Sequence, residues 1–163
     1  GAEFLQGVHF FDVLIMARRV FPFLERHALW FVAQSLGIQQ QQEHRAGSDV
    51  DMTWRVFQKI KKVLRDKGVA DFDHYMSLFG IQGPFLEDIM SKKTSMIQEA
   101  IDTGMRLRIK YISSSEAQVS SREVLPKEIR RDKRYTYMIG LCFLKNEDRM
   151  FRLDGILDME IVN

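Results

Sequence analysis

Apolar residues in the first part of the chain return at the spacing of a helix. In "FFDVLIMARRVF" (10–21) they recur every three or four positions until Pro22 stops the run. "HALWFVAQSLGI" (27–38) predicts a second short helix ended by Gly37. Asp49 to Arg65 predicts a third, with Met52, Val56, Phe57, Ile60 and Leu64 as its apolar stripe, Arg55, Lys59, Lys61 and Lys62 opposite, and Gly68 as terminator. Between Val69 and Thr94 the pattern blurs into short helical pieces, "DFDHYMSLFG" and "PFLEDIMSKK", broken by Gly80, Gly83 and Pro84. Aromatic and Met residues are too frequent there for disorder, so a structured connector is expected. "TSMIQEAIDTG" then predicts an amphipathic helix capped by Thr94 or Ser95.

After Gly104 the period changes to two. In "RLRIKYI", Leu107, Ile109 and Tyr111 face one way, and Arg106, Arg108 and Lys110 face the other. "EVLP", "YTYMIGLCFL", "RMFRLD" and "ILDMEIV" continue as short strands, with "KNED" as a hairpin turn and Ile139, Leu141 and Phe143 as core. The expected fold is α+β: a helical segment over 5–66, a helical connector over 67–94, and a small β-barrel over 95–163.

Composition adds little to this picture but excludes some classes. With 163 residues, 45% hydrophobic and 28% charged, the chain has the make-up of an ordinary globular protein. No window approaches the ~20 apolar residues that a membrane span needs, and no membrane role is expected. The N-terminal residues do not read as a secretion signal, and the one cysteine, Cys142, cannot form an internal disulfide. A buried thiol in a reducing cytoplasm is the expectation. A net charge of only +2 means that any nucleic-acid binding must come from a local patch.

The candidate chemistry sits at two places. His44 and Asp49 lie at the entrance of the third predicted helix, behind the glutamine run 39–42. Read by themselves they suit a solvated loop and an acid favoured by the helix dipole. Their context is more specific. "FFDVLIMARRVFP", "HALWFVAQSLGI" and "EHRAGSDVDMTWRVF" follow one another as in the last third of the DEDDh family of 3′–5′ exonucleases, which includes the proofreading epsilon subunit of DNA polymerase III, and the segment resembles that family. The resemblance implies His44 as general base and Asp49 as a metal ligand, with Mg²⁺ or Mn²⁺ in a complete nuclease. Two-metal hydrolysis needs several carboxylates, and the family's Asp-x-Glu and second Asp are not in this sequence. The chain is therefore expected to bind no such cofactor by itself, to be inactive alone, and to be a fragment of a longer nuclease.

The strand-rich part resembles a WYL domain. "AIDTGMRLRIKYISS", "SREVLP", "RYTYMIGLCFL" and "RMFRLDGI" stand in that family's order over about 95–163. The Trp-Tyr-Leu signature falls on Thr136, Tyr137 and Met138, and Gly155 stands where a second arginine is usual. The resemblance implies an SH3- or Sm-like barrel and a sensory or nucleic-acid-binding role in a bacterial regulator or DNA-processing protein.

Arg106, Arg108 and Lys110 form a basic strand face that Arg122 and Arg152 are expected to join, and Tyr137 offers a ring for base stacking. Tyr137 equally suits a core tyrosine, and "KEIRRDKR" (127–134) a solvated hairpin. The expected partner is single-stranded DNA or another nucleic acid. Self-association into a homo-oligomer and docking to a DNA polymerase or other replication and repair proteins are further expectations. The alternative is a sensory module that takes a small ligand or a partner protein and has no nuclease role.

Overall fold

The computed structural model describes residues 9–38 and 46–163. They form an α+β chain, five helices followed by a five-stranded antiparallel sheet. The chain divides into two compact units: residues up to Ala70 with the Ser114–Ala117 turn, and the remainder from Asp71. Among the described residues, no helix is long and apolar enough to cross a membrane.

The first unit holds α1 (Val13–Val20), α2 (Leu29–Ser35) and α3 (Ala46–Asp66). Asp12 caps α1, its carboxylate accepting from the Leu14 and Ile15 amides at 2.7 and 3.2 Å. Phe21 closes the helix because Pro22 disfavours helical geometry in the residue before it. α2 and α3 end in the same way. Gly37 and Gly68 adopt φ of +70° and +76°, and the next amides, Ile38 and Val69, each bond back to a carbonyl five residues earlier at 2.9 Å. Met52, Val56, Ile60 and Leu64 of the expected stripe are buried, and both α1 and α2 pack on α3. Phe10, Leu14, Trp30, Val50 and Trp54 remain exposed.

The second unit begins with α4 (Phe72–Phe79) and α5 (Pro84–Thr103). Pro84 supplies the first turn of α5, and Gly104 at φ +65° closes it. Thr94 and Ser95 do not start a helix. They lie in the middle of α5, where the Thr94 hydroxyl donates to the Met90 carbonyl at 2.8 Å. The two expected pieces fuse because nothing between Ile89 and Ile97 breaks helical geometry. The domain boundary expected between residues 94 and 95 therefore falls within a helix.

β1 (Arg106–Ile112), β2 (Val119–Arg131), β3 (Thr136–Cys142), β4 (Glu147–Arg152) and β5 (Ile156–Val162) pair in the order β4-β3-β2-β1-β5. The core of the sheet joins Leu107, Ile109, Val124, Met138, Cys142, Phe151 and Ile156 to Ile97 and Ala100 of α5. The expected core face of β3 is reversed. Met138, Gly140 and Cys142 point inward, while Ile139 and Leu141 are half-buried on the outer face and Phe143 is exposed in the turn. A strand apolar at nearly every position carries no phase, and a shift of one residue exchanges its faces. The pairing register shifts between Pro126 and Glu128, where a proline with no amide to donate suits a bulge. Gly140 lies opposite Pro126. A Cβ there would stand 2.8 Å from Pro126 Cα and 2.9 Å from Val124 Cγ1, and would also strike the Leu125 carbonyl.

Lys93 ties the helices of this unit to its last strand. Its ammonium donates to Ser77 Oγ at 2.6 Å, to the Leu153 carbonyl at 3.0 Å and to the Ile156 carbonyl. Burial pulls its pKa down to about 8, against the opposing pull of Asp154 and Asp158. Ser77 Oγ in turn donates to the Asp154 carbonyl at 2.9 Å, and His74 Nε2 lies 3.2 Å from Asp158 Oδ1.

Candidate nucleic-acid interface

The hairpin that joins β2 to β3 is shaped by one carboxylate. Asp132 accepts from the backbone amides of Arg134 and Tyr135, both at 2.7 Å. These two donors hold its pKa below the ordinary aspartate value, helped by the Tyr137 hydroxyl and the Arg134 charge. The turn places Tyr135 and Tyr137 two residues apart, with ring centres 6.4 Å apart and planes at 79°. Tyr137 lies opposite Arg130 on β2 and Arg152 on β4.

Arg152 is the cation at the centre of this face. Its guanidinium stands 3.5 Å from the Tyr135 ring centre. Nε donates to Asp154 Oδ1 at 3.1 Å and Nη2 donates to the other oxygen. Burial alone would lower its pKa; the bonds and charge of Asp154, with the two tyrosines, outweigh that and raise it. Desolvation, then Asp132, raises the pKa of Tyr137. Both groups stay in their ordinary charge states near neutrality.

Around this centre, 127–134 holds five basic and two acidic residues, a local excess of +3. Glu128 forks Arg130 with two bonds of 3.1 Å, and Lys127 reaches Asp148 at 2.8 Å. Arg131 and Lys133 are exposed and make no ion pair among the described residues.

The β1 face differs. Arg106, Arg108 and Lys110 do project outward together, but each meets an acid from a neighbouring strand. Arg106 lies 3.7 Å from Glu123, Arg108 lies 3.2 Å from Glu123 and 2.7 Å from Glu160, and Lys110 lies 3.9 Å from Asp158. Three cations against three carboxylates leave little net field.

The expected convergence of Arg122 and Arg152 on that face does not occur. Arg122 pairs with the buried Ile109 and so lies on the opposite face of the sheet. Its Nε donates to Ser120 Oγ at 3.0 Å, while Nη1 is buried with no hydrogen-bond partner among the described residues. Arg152 is separated from β1 by β3 and β2. Tyr135, Asp132 and Asp154 were not singled out by sequence. The two-residue spacings Tyr135–Tyr137 and Arg152–Asp154 were the available signal.

His44 lies outside the described residues. Asp49 is exposed in the first turn of α3, beside Val13, Val50, Thr53, Trp54 and Phe57. Among the described residues no group of three or more His, Cys, Asp or Glu side chains could hold a metal ion. One exposed carboxylate does not fit the two-ion set of a nuclease.

Comparison with known proteins agrees with this division. Residues 92–161 match the family model described as WYL domain, and residues 2–57 match the one described as Exonuclease. No curated protein matches the chain. A solved structure, the proteasome accessory factor B/C of Arthrobacter aurescens, is similar at 20% identity and a TM-score of 0.43. The match covers 82% of this chain and 19% of that one, so this chain spans about a fifth of its length. The chain thus joins an exonuclease-family segment to a WYL domain.

Proposed function

We propose that the WYL domain binds single-stranded nucleic acid on the β2–β3 hairpin around Tyr135, Tyr137 and Arg152, and so delivers or regulates a metal-dependent 3′–5′ exonuclease in a bacterial cytoplasm. The observation that carries this reading is the Arg152 guanidinium stacked on Tyr135, next to Tyr137 and to a turn with an excess of cations. Rings offer stacking that every base can use, and the uncompensated cations offer phosphate contacts. The Arg106–Arg108–Lys110 face contributes less, because its acids already occupy its cations.

The test is fluorescence anisotropy with a labelled oligothymidylate over a range of salt. Saturable binding that weakens with salt and is lost in the Tyr135→Ala/Arg152→Ala double variant supports the reading. No binding at low salt overturns it. A second reading, a small anionic ligand sensed on the core face, draws on the partnerless Nη1 of Arg122. It is favoured if inorganic phosphate or a carboxylate raises the melting temperature of the chain but not that of Arg122→Leu.

A further inference from the structure

A groove of about 260 Å³ runs in the second unit between α5 and the edge strand β5. Phe85, Ile89 and Met96 of α5, spaced as one helical face, form its first wall. Leu157 and Met159 of β5 form the other. At its α4 end the exposed Phe72 meets Phe85, with ring centres 5.5 Å apart and planes tilted by 46°. An edge strand facing a helix across an apolar furrow is the geometry in which an extended peptide adds a strand, using backbone bonds for affinity and alternate side chains for selection. β5 pairs with β1 on one side and forms no ladder on the other among the described residues.

The charges around the groove select the kind of peptide. Asp73, Asp88 and Asp158 stand on its rim. Of the two lysines that line it, Lys93 is turned inward onto Ser77 and the Leu153 and Ile156 carbonyls. Lys92 pairs with Asp88 at 2.7 Å through an exposed side chain. Asp158 faces His74 at 3.2 Å and Lys110 at 3.9 Å. The groove lining thus carries three carboxylates against two ammonium groups, a net charge of −1, with Asp88 and Asp158 already facing Lys92 and Lys110. We infer that this groove docks an extended segment of a partner protein in which Lys or Arg alternates with apolar residues. The apolar side chains fill the furrow, and the cations meet Asp73, Asp88 and Asp158.

The probe is a short labelled synthetic peptide of alternating Lys and Val, with Glu–Val and Lys–Ser versions as controls, titrated into the full chain. Saturable binding is expected for Lys–Val only, with amide shifts confined to β5 and to 85–96 of α5. Asp73→Lys/Asp88→Lys, at two exposed positions, is expected to weaken it about tenfold or more. Alternate N-methylation of the peptide backbone is expected to abolish binding. Equal binding by Lys–Ser, indifference to the double variant, or shifts elsewhere would overturn the inference. So would displacement by oligothymidylate, which would place the peptide on the hairpin face. Self-association without peptide that the double variant removes would overturn it in favour of a second copy of this chain.

Discussion

Asp154 and Tyr135 share one guanidinium: the carboxylate forks Arg152 from its edge while the ring lies 3.5 Å from its centre. A cation held from two sides is fixed in orientation, so little ordering remains to be done when a phosphate or base arrives. Tyr135→Ala should therefore cost about 1–3 kcal/mol of oligothymidylate affinity, with the salt slope almost unchanged. Tyr135→Phe, which keeps the ring, should bind within about twofold of the parent. Equal losses in the two variants would show that the hydroxyl, not the ring, carries the contact.

The cations of the hairpin and of β1 should behave differently. Replacing Arg131 and Lys133 by Ala should flatten the log–log salt dependence by about 0.7 for each phosphate contact removed. Arg108→Ala should leave both slope and affinity near the parent values, since Glu123 and Glu160 already engage that side chain. A larger effect from Arg108 than from Arg131 would move the interface to β1.

Gly140→Ala should destabilise the strand-rich unit by about 1–3 kcal/mol, read as a lower urea midpoint at unchanged slope. The new methyl group meets the backbone of Leu125 and Pro126, which cannot swing aside as a flexible side chain would. A midpoint equal to the parent would mean that the bulge in β2 yields.

Lys93 predicts a pH dependence with a definite sign. Its folded-state pKa of about 8 lies below the ordinary 10.5, so the unfolded chain holds this proton more tightly. The burial penalty is present in full below pH 8 and fades as pH rises towards 10.5. The stability of the parent relative to Lys93→Met should therefore increase over that window by up to about 3 kcal/mol. Urea titrations at pH 7, 9 and 10 compare the two chains. A constant difference would show that the lysine keeps its charge throughout.

This chain by itself should release no nucleotides from a 3′ end in Mg²⁺ or Mn²⁺, because Asp49 brings a single carboxylate to chemistry that needs several. Release that is lost in Asp49→Ala would show that the remaining ligands are present after all.

The helices of the first unit were legible because their stops are local: Pro22, Gly37 and Gly68 act on their own backbone whatever surrounds them. The length of β2 was not, since "KEIRRDKR" reads as a solvated turn until β3 pairs with it. Nor was the facing of β3, where apolar residues at consecutive positions leave the choice to Gly140 and the bulge opposite. The basic residues of β1 were legible as a face, but their neutralisation was not. Glu123 and Glu160 come from strands far along the chain, and only register brings them beside Arg108. Sequence shows which charges share a strand, and pairing decides what they meet.

Cys142 gives the strand-rich unit a built-in reporter. Its thiol is fully buried in the sheet core and is the chain's one sulfhydryl. An alkylating reagent can reach it only while that core is open. With closing fast relative to alkylation, the labelling rate in native buffer is the reagent's intrinsic rate multiplied by the open fraction. One mass measurement over time thus yields an opening free energy for the sheet without denaturant, and an added ligand that slows the labelling is one that binds the closed form.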